Sequence, residues 1–158
     1  MRRNDKEIKD KKCMEQILKK AKVCRIALCD KNKPYIVPMN FGFDDNYIYL
    51  HSAREGRKID LIKENNNICF EADIETEIIT ADNACSWGMK YYSIICFGKA
   101  HFIEDKDKKI NALDVIMQKY SNKPNETFEY SKPSLDKTTV IKVEIESLTG
   151  KNQDIKSD

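Results

Sequence analysis

Residues 91–103 make one uninterrupted extended run with Gly98 inside it, and no other feature of the chain limits the fold so tightly. A glycine within a strand marks a bulge or a bend, and a long bent strand suits a barrel. The runs before it pair locally. Cys24, Ile26 and Leu28 alternate with Val23, Arg25 and Ala27, and a polar turn at 30–33 leads to a second run at 35–39, so these two form a hairpin. A third run, 47–52, puts Ile48 and Leu50 on one face and Tyr47, Tyr49 and His51 on the other. A fourth covers 68–72, and a last one, 138–147, aligns Ile141, Val143 and Ile145.

Helical spacing is confined to single short segments. Cys13, Met14, Ile17, Leu18 and Ala21 share one face of a helix over 11–21 that Asp10 can cap. Ile59, Leu61 and Ile62 mark a short second helix, and Ile110, Leu113, Ile116, Met117 and Tyr120 a third. Residues 121–137, with Pro124 and Pro133, read as a surface loop. Hairpin-linked strands interrupted by single helices exclude a doubly wound parallel sheet, which needs a helical crossover between most strands. The expectation is a mainly β chain: an antiparallel β-barrel with peripheral helices. It forms a single domain over 1–158, with an N-terminal helical arm at 1–22 and a polar C-terminal tail at 148–158.

The charge balance narrows the partners. With 28 basic and 26 acidic residues the formal charge is only +2, which gives no reason to expect nucleic acid or a membrane. The charged N-terminus lacks the apolar core of a signal peptide, and no run approaches the roughly 18 apolar residues of a membrane span, so a cytoplasmic protein is expected. Six cysteines at irregular spacings without a CxxC read as reduced, mostly buried thiols, Cys85 among them as inert packing. His51 and His101 are the only histidines, and with no metal-ligand spacing among the cysteines no metal site is expected. His101 lies within a strand pattern and reads as structural.

Three segments can carry chemistry. His51-Ser52-Ala53-Arg54-Glu55-Gly56-Arg57-Lys58 joins a strand to a helix with a hydroxyl, a glycine and cations at the helix entry. Free N–H groups at a helix N-terminus attract anions, Arg grips phosphate oxygens through two donors, and Lys adds a compact charge. These residues alone fit a phosphate cradle or a solvated charged loop. In Val37-Pro38-Met39-Asn40-Phe41-Gly42 a proline removes a ladder donor within an apolar run, so this is either an edge-like or bulged strand with free backbone groups or an ordinary strand end. Trp87, Tyr91, Tyr92 and Ser93 gather aromatics and hydroxyls at the entry to the long strand, which alone reads as core and rim.

Together these segments, with Val23-Cys24-Arg25-Ile26-Ala27, Gly98 and Thr149-Gly150-Lys151, resemble the FMN-binding split-barrel superfamily that includes pyridoxamine 5'-phosphate oxidase, and within it the nitroimidazole-reductase-like branch. The resemblance implies a six-stranded antiparallel split barrel and a homodimer with an FMN at each of two sites on the subunit interface. It implies that Ser52, Arg57 and Lys58, in the loop with Ala53 and Gly56, hold the phosphate. Pro38, Met39, Asn40 and Phe41 would line the ring, and His51 would lie beside it. Trp87, Tyr91 and Ser93 would close the site from the partner subunit. The implied activity is that of an FMN-dependent oxidoreductase, a flavin reductase passing electrons from a reduced nicotinamide to a small electron acceptor such as a nitro-aromatic. His51 is the candidate catalytic proton donor or, equally, a packed strand-end histidine. The alternative class is a non-catalytic store of flavin or of another planar cofactor such as haem.

Overall fold

The computed structural model describes residues 3–123 and 125–153. Met1, Arg2, Pro124 and the last part of the expected tail, 154–158, lie outside the described residues. Asp10 accepts a hydrogen bond from the Lys12 N–H at 2.9 Å and opens helix α1 (Lys11–Lys20), as its position before the first apolar turn predicts. Helices α2 (Arg57–Glu64), α3 (Lys106–Tyr120) and α4 (Lys132–Lys137) follow between the strands.

The strands are β1 (Glu7–Ile8), β2 (Cys24–Asp30), β3 (Lys33–Met39), β4 (Phe41–Asp44), β5 (Tyr47–Ala53), β6 (Asn67–Ile79), β7 (Gly88–Phe102) and β8 (Thr138–Gln153). They pair antiparallel in the order β3-β2-β6-β7-β8-β5-β4, with β1 added on β8. The first and last strands of that path are consecutive in the chain, joined through Asn40 alone, so the two edges of the sheet meet there and the sheet curls into a split barrel.

Among the described residues eight strands stand where six are expected. Strand β1 is two residues long, too short to show alternation. Strand β4 begins one residue after β3 and holds Gly42, where a Cβ would come within 2.8 Å of the Ile116 backbone nitrogen of α3. The glycine that reads as a strand end is a contact point for a helix. Residues 148–153 are likewise no free tail, because β8 runs on to pair Gln153 with Tyr91 of β7. Within 121–137 the loop is broken by α4, whose Pro133 sits in the first turn, where its missing N–H costs nothing, behind the capping Ser131.

The inward phase of each strand fills one core in which Ile26, Phe41, Ile48, Leu50, Phe70, Ile94 and Ile141 are fully buried. Phe41 and Phe70 meet edge to face with centroids 5.0 Å apart, an arrangement that adds about 1 kcal/mol beyond burial. A second cluster of Ala112, Leu113, Ile116, Leu135 and Val140 seats α3 and α4 against the sheet. Of the six free cysteines only Cys24 and Cys96 are buried, which corrects the expectation of mostly buried thiols. Cys29 and Cys69 fall on the outward phase of β2 and β6, and Cys85 is exposed between β6 and β7 rather than packed. Among the described residues no helix is long and apolar enough to cross a membrane.

Candidate functional site

Strand β5 delivers its last residues against β8 in the register His51↔Val140, Ser52↔Thr139 and Ala53↔Thr138. Alternation then decides their exposure: Ser52 is buried while His51 and Ala53 face out. The chain turns into α2 through Gly56, whose φ of 125° is open to glycine and strained for any other residue. A Cβ there would meet nothing within 4 Å, so the glycine serves the backbone path and leaves the space beside the helix entry open. The N–H groups of Ile59 and Asp60 both donate to the Gly56 carbonyl, so the first-turn N–H groups left over belong to Arg57 and Lys58.

The polar groups around this turn are unequally paired. Ser52 Oγ is buried and has no hydrogen-bond partner, a state that costs roughly 1–3 kcal/mol in a folded chain unless a ligand relieves it. Arg57 Nη2 bonds Asp30 Oδ2 at 2.9 Å, and its guanidinium lies 4.6 Å from the centre of the Tyr35 ring. Arg54 donates to the Asp136 carbonyl at 3.1 Å. Lys58 forms no salt bridge among the described residues. Partial burial and then the Lys58 charge push the His51 pKa below its ordinary 6.5, favouring the neutral imidazole. An unpaired hydroxyl near the end of β5, followed within six residues by two leftover N–H groups and an ammonium without a salt bridge at the α2 entry, suits an anion with several acceptor oxygens.

Strand β3 is an edge of the hydrogen-bonded path, as Pro38 requires. Pro38 and Asn40 are exposed, whereas Met39 and Phe41 point into the core. The Phe41 N–H is already held at 3.0 Å by Tyr120 Oη, which in turn donates to the Lys22 carbonyl at 2.7 Å. From this segment the groups that face outward are therefore the side chains of Pro38 and Asn40. The third segment lies apart. Ser93 pairs with Lys151 and Tyr91 with Gln153, while His51 pairs with Val140, so the two sets sit toward opposite ends of β8. At about 3.3 Å per residue that is on the order of 35 Å along the strand. Trp87, exposed, lies beyond them and donates from Nε1 to the Ala81 carbonyl at 2.8 Å.

The chain thus gathers His51, Ser52, Gly56, Arg57 and Lys58, holds Pro38 and Asn40 on the neighbouring edge strand, and keeps Trp87, Tyr91 and Ser93 remote. Two residues absent from the sequence reading join the first group, Asp30 and Tyr35, through Arg57. Their only sequence signal is a carboxylate and an aromatic flanking a hairpin turn, which does not point to a helix entry more than twenty residues on.

Comparison with known proteins places this geometry. The sequence model of the family described as pyridoxamine 5'-phosphate oxidase matches residues 10–152. A candidate 5-nitroimidazole antibiotic resistance protein of Bacteroides thetaiotaomicron is 38% identical, aligns over 92% of this chain and 86% of its own, and superposes with a TM-score of 0.82. The flavocytochrome Anf3 of Azotobacter vinelandii (17% identity, 98% of this chain and 72% of that one, TM-score 0.85) has the same fold. So does an FAD and haem binding protein of Mycobacterium smegmatis (17%, 97% and 76%, TM-score 0.86). A search of curated proteins finds no match. The family match across nearly the whole chain and the 38% identity to one solved structure agree with the split-barrel topology, and the chain belongs to the pyridoxamine 5'-phosphate oxidase family.

Proposed function

We propose that this protein is an FMN-dependent oxidoreductase that works as a homodimer and passes electrons from a reduced nicotinamide to a small electrophile such as a nitro-aromatic. The observation that carries the reading is the orphaned Ser52 hydroxyl at the end of the strand that leads into α2, because a buried donor without an acceptor is accounted for by a ligand that brings one. Ser52 Oγ, the Arg57 and Lys58 side chains and the two leftover N–H groups would hold the phosphate. Pro38 and Asn40 of the edge strand would border the ring. FMN, when bound, supplies the hydride and electron chemistry, and few catalytic side chains are then needed. His51 would stand beside the ring as a neutral imidazole, since a phosphate that neutralises Lys58 removes only the lesser of the two causes lowering its pKa and leaves burial, the larger.

Two observations support the dimer. Trp87, Tyr91 and Ser93 can complete a site at the α2 entry only from a second copy, given their distance along β8. Ile36, Ala27, Cys69 and Phe97 also form one cross-strand row on the outer face of β3, β2, β6 and β7, with Ile36 61% and Phe97 55% exposed, an apolar strip that needs a cover. The acceptor class follows the resistance protein that shares 38% of the sequence.

Reconstitution with FMN followed by anaerobic NADH or NADPH tests the proposal. The expected result is a bound-flavin absorption band that bleaches with the nicotinamide and returns on adding a nitro-aromatic. A chain that takes up no FMN would refute the flavin reading, and a flavin that stays oxidised would make the protein a store.

A further inference from the structure

We propose that Asp30 is a positioning residue for the ligand phosphate, holding Arg57 from the β2–β3 hairpin so that the guanidinium meets the phosphate in a set orientation. The inference rests on the phosphate reading of the α2 entry. Asp30 closes the β2 ladder opposite Lys33, and Tyr35 follows two residues later on β3, so one hairpin supplies both contacts. Asp30 Oδ2 accepts from Arg57 Nη2 at 2.9 Å, and the guanidinium carbon sits over the Tyr35 ring, 4.6 Å from its centre. No other acceptor among the described residues engages Arg57, so Nε and Nη1 keep donors for a phosphate.

Among the three cations of this loop, Arg57 alone is gripped by an anion from another element. Arg54 bonds one carbonyl, and Lys58 has no salt bridge among the described residues. An exposed ion pair adds little to folding stability, and both partners here are partly exposed, so its effect belongs to binding. Arginine loses considerable rotamer freedom when it binds, and a side chain already held by a carboxylate and a ring loses less at that moment. The Asp30 charge opposes an incoming phosphate, but Lys58 beside it remains unneutralised.

Titration of the full-length protein with FMN and with riboflavin, which lacks the phosphate, separates the outcomes. D30A should weaken FMN roughly five- to tenfold and leave riboflavin unchanged, and D30E should recover most of the loss. In an R57A background D30A should have no further effect. Tighter or unchanged FMN binding by D30A overturns the inference. So does an equal loss in both backgrounds, an equal loss of riboflavin, or failure of D30E to recover. If R57A binds FMN as the wild type does, the phosphate reading itself fails, and this inference with it.

Discussion

Ser52 and Lys119 are the two side chains whose surroundings least suit their chemistry. Replacing Ser52 by Ala removes an unsatisfied buried oxygen, so the ligand-free variant should unfold at the same or a higher urea concentration, gaining up to about 1 kcal/mol, while FMN binding weakens. A clear loss of ligand-free stability would mean that the hydroxyl has a partner in the protein. Lys119 Nζ lies 3.0 Å from the centre of the Phe41 ring and donates to the Leu18 carbonyl at 2.7 Å, tying α3 to the end of α1. Burial lowers its pKa from 10.5 to about 7. Between those values the unfolded chain binds the extra proton, so stability rises with pH across that window. Cys24, pushed up from 9.0 to about 12, acts in the opposite direction and only above pH 9. Urea midpoints should therefore climb from pH 7 to pH 9 in the wild type and stay flat over the same interval in Lys119→Met. Equal slopes in the two proteins would assign the titration to another group.

At the scale of elements, β7 shows what the sequence makes legible. Its alternation and its glycine are both readable, and the ladder with β8 shifts register between Phe97 and Gly98, where the bend is expected. A Cβ at Gly98 would collide with the Glu144 carbonyl of β8, so Gly98→Ala should destabilise the fold by about 2–4 kcal/mol, read from urea unfolding followed by circular dichroism. Wild-type stability would show that the bend does not depend on the close approach. Residues 148–153 escape the same reading because their partner is β7, about sixty residues earlier, whereas β4 pairs locally in a hairpin with β5 and escapes because four residues holding a glycine are too few to show a pattern. The site divides likewise. Ser52, Gly56, Arg57 and Lys58 lie within seven residues, so their joint chemistry is visible in one dimension, whereas the Asp30 and Tyr35 contacts arise only when the hairpin folds onto α2. Alternation through 37–41 would already have assigned Met39 and Phe41 to the core and left Pro38 and Asn40 outward.

For the whole molecule, the proposed dimer raises the question of which parts a second copy would supply. The outward row Ile36, Ala27, Cys69 and Phe97 crosses four neighbouring strands, and Ile95, 43% exposed, stands two residues from Phe97 on the same face. A carboxylate in the middle of a dry interface costs several kcal/mol, more than such an interface tolerates, yet on a solvated monomer face it costs almost nothing. Phe97→Asp should therefore convert a dimer into a monomer in sedimentation while leaving the urea midpoint of the subunit close to wild type. Its effect on the ligand follows from the separation along β8: with Trp87, Tyr91 and Ser93 withdrawn, the monomer keeps the complete Ser52, Arg57 and Lys58 set and still binds FMN far more weakly. Phe97→Leu, which preserves the apolar strip, should keep both the dimer and the flavin. A Phe97→Asp monomer that holds FMN as tightly as the wild type would instead place the whole site within one chain, with the α2 entry and the edge strand β3 sufficient by themselves.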